Sequence, residues 1–423
     1  MKSIVFTVLL SVYMYGQSLT TAVKQGLEID PRIQMLVHEY AIALRDVELA
    51  RANYKPTLDV SGFVGRERTQ TPANLGKSVT LTAENSSVIG KYNLFSGYKD
   101  QYQIKEKETA AKLAENKLKE GIINVSKEIT FSYINMIKTY KEYKMYQKNI
   151  ADYRRTLKKV AQKIKDGGGR DSDLYQTKSR MNYEESNLIA AKQAYQDAKI
   201  ALAKYIGTIP SIKGMHDPKI HSKKLNLRTL IRKTKKYNAS LGNLVLEKEI
   251  STFLEEQEKS RYYPSLDVEV SKNWASDQHG ILGIDDSDRV GLNLHYNLYN
   301  GGSDKIKVEK AKLQTLKAQD SINDATREII ANLKHTYNNY VMSKQRIGVI
   351  ETHIKNAHKT EVLYIKEEEE TGERSIIDIL NIRQEYNAAQ IAKIETKYTA
   401  MQLYFELLAN TSEILDYFHI SKK

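Results

Sequence analysis

Two hydrophobic periods divide the chain. Around residues 57–95 and again around 265–299, apolar and polar positions alternate. In the second stretch Leu266, Val268 and Val270 fall on one side, and Asp267, Glu269 and Ser271 on the other. The return segment sets Val290, Leu292, Leu294, Tyr296 and Leu298 against Asn293, His295 and Asn297. A period of two predicts strands. The first stretch gives Leu58, Val60 and Val64, then Val88, Tyr92 and Leu94, with Gly62 and Gly90 interrupting. Between the strands, Arg66–Asn85 and Ala275–Arg289 read as exposed polar loops. Elsewhere the period is seven. Ile122, Ile129, Met136, Tyr143, Ile150, Leu157 and Ile164 recur without a miss, and Val125, Tyr133, Tyr140, Tyr146, Tyr153 and Val160 fill a companion row. Leu333, Tyr340, Ile347 and Ile354 repeat the spacing later. This predicts coiled-coil packing. A helix over 98–164 would be ~100 Å long at about 1.5 Å per residue, which suits a rod or tube. Tyrosine at many seam positions implies a wide, partly hydrated seam.

The two patterns occur in the same order twice. "YKPTLDV" at Tyr54–Val60 returns as "YYPSLDV" at Tyr262–Val268, and "YNLFSG" at Tyr92–Gly97 as "YNLYNG" at Tyr296–Gly301, about 200 residues on. A period that long indicates a duplicated domain and not a short-repeat solenoid. Proline lacks an N–H and is tolerated as a first strand residue, so Pro56 and Pro264 mark the change from helix to strand. Only 6 prolines are present, and none lies within 73–209 or 265–423, which leaves room for very long helices. Breaks fall at "KDGGGRDSD" (Lys165–Asp173) and "EEEETGERS" (Glu367–Ser375), where glycine supplies a chain reversal. The expected organisation is a first repeat over 17–210, a connector over 211–240, a second repeat over 241–410 and a tail over 411–423.

The first 16 residues, "MKSIVFTVLLSVYMYG", place Lys2 before an apolar run and a small Gly16, the layout of a secretory signal peptide. A short anchor or a buried helix is the competing reading, but the run is too short to span easily, since that takes ~20 residues. No later segment has the apolar run of a spanning helix, so membrane insertion would have to use strands.

Composition removes several classes. The 423 residues include no cysteine, which excludes disulfides and thiol chemistry. The formal charge of +13 raises nucleic acid as a partner, but Lys and Arg interleave with Asp and Glu along the helices, and no nucleic-acid motif accompanies them. The Gly167–Gly169 triplet lacks the Gly-Lys-[Ser/Thr] of a phosphate loop. The run Glu367–Glu370 reads as a solvated tip. His353 and His358 lack zinc-protease spacing. No catalytic set, metal site or cofactor is expected.

Strands of ~10 residues suit a tilted membrane strand, with Trp274, Phe63, Tyr92 and Tyr296 as interfacial aromatics. Taken alone, the hairpins fit a soluble amphipathic pair at least as well. If they span a membrane, four strands cannot close a barrel, because closure takes about eight or more and open edges cannot sit in lipid. The chain would then contribute strands to an oligomer. The polar positions Asp59, Asp267, Glu269, Asn293 and His295 would line a wet lumen. A secreted coiled-coil scaffold or adhesin without a pore is the alternative, although such a protein has no reason to duplicate hairpins with apolar faces.

Taken in order, several features resemble the TolC-type outer-membrane efflux proteins over essentially the whole mature length. They are "SLTTAVKQGLEIDPRI" (Ser18–Ile33), the two Pro-x-Leu strand openings, the two "YNL[FY]-x-G" strand ends and the two Asp-bearing tips, with "SIIDIL" (Ser375–Leu380) in the second. The resemblance implies a mixed, mostly α fold. In it a homotrimer forms a twelve-stranded β-barrel in the outer membrane of a Gram-negative bacterium and continues into a periplasmic α-helical barrel. It further implies passive conduction out of the cell, as the exit duct of a tripartite efflux pump or a type I secretion system. The partners would be a periplasmic adaptor and an inner-membrane transporter of the RND, ABC or MFS type, with no catalysis in this chain. At the periplasmic end it implies a gate in which an Asp in the first tip faces an Arg in the second, here Asp173 and Arg374, with Gln162 nearby. Glu369 stands where the family has a gate Tyr. The acidic constriction of the second tip keeps Asp378 but has Asn381 at its second position, so a single acidic ring and a less cation-binding entrance are expected. The apolar residues of the adaptor-binding tips are replaced, as Asp166-Gly167-Gly168 and Thr371-Gly372-Glu373.

Overall fold

In the computed structural model, which describes residues 18–70, 72, 75–220, 225–372 and 374–420, each repeat opens with helices that stop just before a proline-led strand. The segment read as a signal peptide lies outside the described residues. The first repeat runs α1 (Leu19–Ile29), α2 (Pro31–Ala52), β1 (Thr57–Gln70), β2 (Ser78–Phe95), α3 (Lys99–Lys165) and α4 (Asp171–Ile206). The second runs α5 (Leu227–Tyr237), α6 (Ala239–Lys259), a single 3-10 turn (Ser260–Tyr262), β3 (Ser265–Ser276), β4 (Ser287–His295), α7 (Ser303–Glu370), α8 (Ile376–Asn410) and the short α9 (Glu413–Tyr417).

Local chemistry accounts for the boundaries. Ser18 caps α1 by accepting from the Thr21 N–H at 3.2 Å. Pro31 opens α2, where its missing N–H is harmless. Asp30 before it accepts from the Arg32 N–H at 2.9 Å and pairs with its guanidinium at 2.8 Å. The hydrogen bond from Arg32 holds the Asp30 carboxyl below its usual range against the opposing effect of burial. Gly97, in the first strand-end motif, has a φ of 65°, and a Cβ there would meet the Ser260 carbonyl oxygen at 2.6 Å. Glycine is therefore required at that turn.

The chain divides into two compact units that cut across the sequence repeats, each taking segments from both. The first comprises the described residues up to Gln34, Lys119–Ala239 and those from Thr326 onward. Its interior is the predicted seam. Ile129, Met136 and Ile150 of the first row and Val125, Tyr133, Tyr153 and Val160 of the second are buried, joined by Leu202, Leu333, Leu380, Tyr398 and Phe405. The connector over 211–240 contains α5, capped by Asn226, which accepts from the Thr229 N–H at 3.2 Å.

The second unit comprises Met35–Leu118 and Ser240–Ala325. It holds the sheet, four antiparallel strands in the order β1-β2-β3-β4. Residues 66–70 and 78–85, expected in a loop, are strand. The β1/β2 pairing continues from Thr57↔Lys91 to Gln70↔Ser78. On β1, Arg66, Glu67, Arg68 and Thr69 hide the alternation, while on β2 Val79, Leu81 and Ala83 alternate with Thr80, Thr82 and Glu84, the apolar set falling on the face that carries Asp59 and Lys91 elsewhere. β4 ends at His295, so Tyr296 and Leu298 lie beyond it.

Candidate functional site

The sheet has two chemically opposite faces, and the strand registers define them. Pairs Val60↔Val88, Gly90↔Val270 and Val270↔Val290 lie on one face. Leu58, Val64, Val268, Trp274, Leu292 and Leu294 share it by parity. Most of these side chains stand in the open, with Leu58 73% and Val290 78% exposed, while Val88 and Val268 are half-buried. The other face carries Asp59, Ser61, Ser87, Lys91, Asn93, Asp267, Glu269, Ser271, Asn293 and His295. Phe63 belongs to this polar face, lying over Gly65, where a Cβ would meet its ring at 2.7 Å. It therefore does not join Trp274 among the aromatics of the apolar face.

All five residues expected to line a lumen thus occupy one face, but only three form a cluster. Asp267 lies opposite Asn293 and accepts from Asn93 at 2.8 Å. Glu269 receives Asn293 at 3.5 Å and lies 3.8 Å from Lys91. Asp59 is paired with Ile89 on the far strand, and His295 ends β4 opposite Ser265.

In the first unit, the ends of α3 and α7 and the starts of α4 and α8 carry the residues expected at a gate. Arg374 donates through Nε to Glu367 at 2.9 Å, lies over the Tyr364 ring at 4.1 Å and approaches Asp378 at 3.9 Å. The hydrogen bond it donates to Glu367 raises the Arg374 pKa above its ordinary value. Among the described residues Asp173 makes no ion pair; its carbonyl accepts from Thr177 at 2.7 Å. Gln162 donates to Asp166 at 2.9 Å, while Glu369 receives Lys159 at 2.7 Å, so these two do not meet each other. The acidic run is exposed at Glu367, Glu369 and Glu370, as a solvated tip would be, and its carboxylates are also ion-paired. Glu367 pairs with Arg374, Glu368 with Lys163 at 2.6 Å, and Glu370 with Lys366 at 3.6 Å. The partners are Lys366 one helical turn back, Arg374 beyond the end of α7, and Lys159 and Lys163 on α3. Asn381 accepts from Arg180 Nη2 at 2.6 Å, and Gln384 accepts from the same guanidinium.

Three polar contacts of the first unit escaped the sequence reading. Arg383 joins Glu361 to Thr156. Its signal was present, since Ile379 and Arg383 share a stripe, as do Ala357 and Glu361, and a charge in the phase of a buried stripe needs a partner. Arg180, which binds Asn381, lay close to the expected tip. Asp217 in the connector gathers Lys141 at 3.0 Å, Lys397 at 2.6 Å and Tyr398 at 2.5 Å. No periodicity marks it. Among the described residues no helix is long and apolar enough to cross a membrane.

The sequence profile of the family described as "Outer membrane efflux protein" matches residues 22–208 and 249–409. The chain is 21% identical over 413 residues to the alkaline protease secretion protein AprF of Pseudomonas aeruginosa, covering 93% of this chain and 84% of that one. It is 22% identical over 270 residues to the proteases secretion protein PrtF of Dickeya chrysanthemi, covering 62% of this chain and 57% of the relative's length. The fold is similar to the crystal structure of the outer membrane protein VceC from Vibrio cholerae, with a TM-score of 0.81, 14% identity and coverage of 93% and 95%.

Proposed function

Because the chain belongs to the outer membrane efflux protein family, we propose that three copies join their four-stranded sheets edge to edge into one barrel in the outer membrane. The chain is an outer-membrane channel that extends into the periplasm and serves as an exit duct for efflux or type I secretion. The observation that carries the assembly is the two-faced sheet. Its apolar face is largely exposed, its polar face bears Asp59, Asp267, Glu269, Asn293 and His295, and among the described residues its edge strands β1 and β4 each have an unpaired side. Lipid accepts the first face and water the second, but lipid satisfies neither edge. Pairing β4 of one copy with β1 of the next satisfies both and gives twelve strands, a number that closes.

Conduction needs no catalytic residue, and the chain works with a periplasmic adaptor and an inner-membrane transporter that supplies the energy. At the helix ends, Asp173 of one copy and Arg374 of the next form a reversible charged contact, while Asp378 forms one acidic ring. Adaptor binding opens this end by favouring the open arrangement over the closed one.

The test is fractionation followed by chemical cross-linking and planar-bilayer recording. A trimer in the outer-membrane fraction that conducts ions is expected. A soluble, rod-shaped dimer without conductance would sink the reading.

A further inference from the structure

The loop between β3 and β4 is folded back on itself. The Asp277 N–H donates to the Gly283 carbonyl at 2.9 Å, and Asp277 Oδ1 accepts from the Gly283 N–H at 2.8 Å. Ser276 bridges to Ile284, and the Asp285 N–H donates to the Ala275 carbonyl at 2.8 Å. The loop then leans across β2. Gln278 donates to the Glu84 carbonyl at 3.2 Å, and His279 reaches Glu67 on β1, with its N–H 3.4 Å and its Nδ1 3.7 Å from the carboxylate. Glu67 has the parity of Asp59, so the loop lies on the polar face. The burial of that corner agrees. Ala83 and Ala275, on the same face, are 1% and 5% exposed in a sheet that is otherwise largely open.

The loop's free side is apolar. Ile281, Leu282 and Ile284 are 59%, 75% and 81% exposed. Three large aliphatic side chains left exposed on this loop are unexplained by the isolated chain, because contiguous exposed apolar surface marks a contact site. Lipid is the wrong occupant, since it would meet the opposite face, and Asp285, Asp286 and Asp288 flank the patch with carboxylates. In a barrel of three copies, the polar faces surround the symmetry axis. A loop lifted off that face points toward its own counterparts, and a patch repeated around an axis meets itself.

Resting on the trimeric-barrel reading, we propose that the three Asp277–Asp286 loops meet over the lumen. There Ile281, Leu282 and Ile284 form an apolar constriction at the barrel end opposite the long helices, and each loop's partner is the same loop in the two other copies. Water leaves a narrow apolar ring readily, so such a ring resists ions without being sealed.

The chain has no cysteine, so Leu282→Cys introduces a single thiol. Treating outer membranes with a short bismaleimide is expected to convert the Leu282→Cys monomer band to a covalent dimer and to lower conductance. Val270→Cys, on the apolar face of an interior strand, stays monomeric under the same treatment. Ile281→Ser combined with Leu282→Ser is expected to raise single-channel conductance. Conducting trimers in which Leu282→Cys does not cross-link, or in which the serine pair leaves conductance unchanged, overturn the proposal. If wild-type protein itself neither reaches the outer membrane nor conducts, the channel reading fails, and the constriction fails with it.

Discussion

Arg383 on α8 donates through Nε to Oε1 of Glu361 on α7 at 2.6 Å, and the two side chains are only 12% and 11% exposed. The same guanidinium donates to Thr156 on α3, so one largely covered cation ties three helices together. His358 adds a second cation when protonated, 3.8 Å from Glu361. Breaking a buried pair leaves an uncompensated charge, which typically destabilises by about 3–5 kcal/mol, whereas replacing both partners with apolar residues is often close to neutral. Arg383→Leu should therefore lower the unfolding temperature markedly, and Arg383→Met combined with Glu361→Leu should recover most of the loss. Thermal unfolding followed by circular dichroism decides the matter. A single variant as stable as the double would show that the pair contributes little.

Arg374 is already engaged within its own chain by Glu367, Tyr364 and Asp378. In the proposed gate, Asp173 of a neighbouring copy competes with Glu367 for the same guanidinium. Asp173→Asn should raise the open probability in planar bilayers. Glu367→Gln should lower it, because the weakened internal acceptor leaves Arg374 to the neighbour. If the two substitutions move the conductance in the same direction, the competition does not exist.

In the proposed entrance, an acidic residue in place of Asn381 would complete a second ring, and Arg180 donates to Asn381 at 2.6 Å. An introduced carboxylate there would be partly neutralised by this guanidinium. Asn381→Asp should increase block of the channel by divalent cations only modestly, and Arg180→Ala added to it should increase the block further. Equal block in the single and double variants would remove Arg180 from the account.

Much of this architecture was legible because it rests on period. The strands at Leu266–Val270 and Val290–Leu294 alternate cleanly because one side must be apolar, and the α3 seam follows from Ile129, Met136 and Ile150 falling in one row. Legibility stopped where the period fails or changes phase. Residues 66–70 are polar on both faces, and in 78–85 Val79, Leu81 and Ala83 put the apolar set on the opposite face from the rest of the sheet. Phe63 breaks the alternation because it packs on Gly65 within the polar face. Side-chain partners far apart in sequence, such as Asp217 with Lys397, leave no mark in either segment alone. The partners of Glu368 and Glu369 left no local mark because Lys163 and Lys159 lie about 200 residues away on α3.

Asp217 fixes the connector to α3 and α8 through Lys141, Lys397 and Tyr398. Burial alone would raise its pKa, but the hydrogen bonds from these three partners together outweigh burial and bring it to about 2. A carboxyl lowered on folding stabilises fully above its unfolded value of about 3.9 and loses that contribution as pH falls through about 2. Its worth at neutral pH is on the order of 2 kcal/mol. Asp217→Asn should thus unfold at lower temperature than wild type near neutral pH, and the gap should narrow between about pH 4 and pH 2. Unfolding temperatures measured in detergent across that range test it, and a gap that stays constant would show that ionised Asp217 is not the cause.

Val270 and Glu269 are adjacent on β3 and point to opposite faces, with Val270 between Gly90 and Val290 and Glu269 beside Lys91. The barrel reading assigns the first to lipid and the second to water. A lysine facing lipid near the middle of a membrane strand costs about 2–4 kcal/mol, whereas lumen substitutions tune selectivity with little effect on stability. Val270→Lys should therefore reduce folded trimer in the outer membrane. Glu269→Lys should assemble normally and shift the channel's preference toward anions. Heat-resistant trimer on gels reads the first effect, and the reversal potential in a salt gradient reads the second. If Glu269→Lys blocks assembly while Val270→Lys is tolerated, the two faces have been assigned the wrong way round.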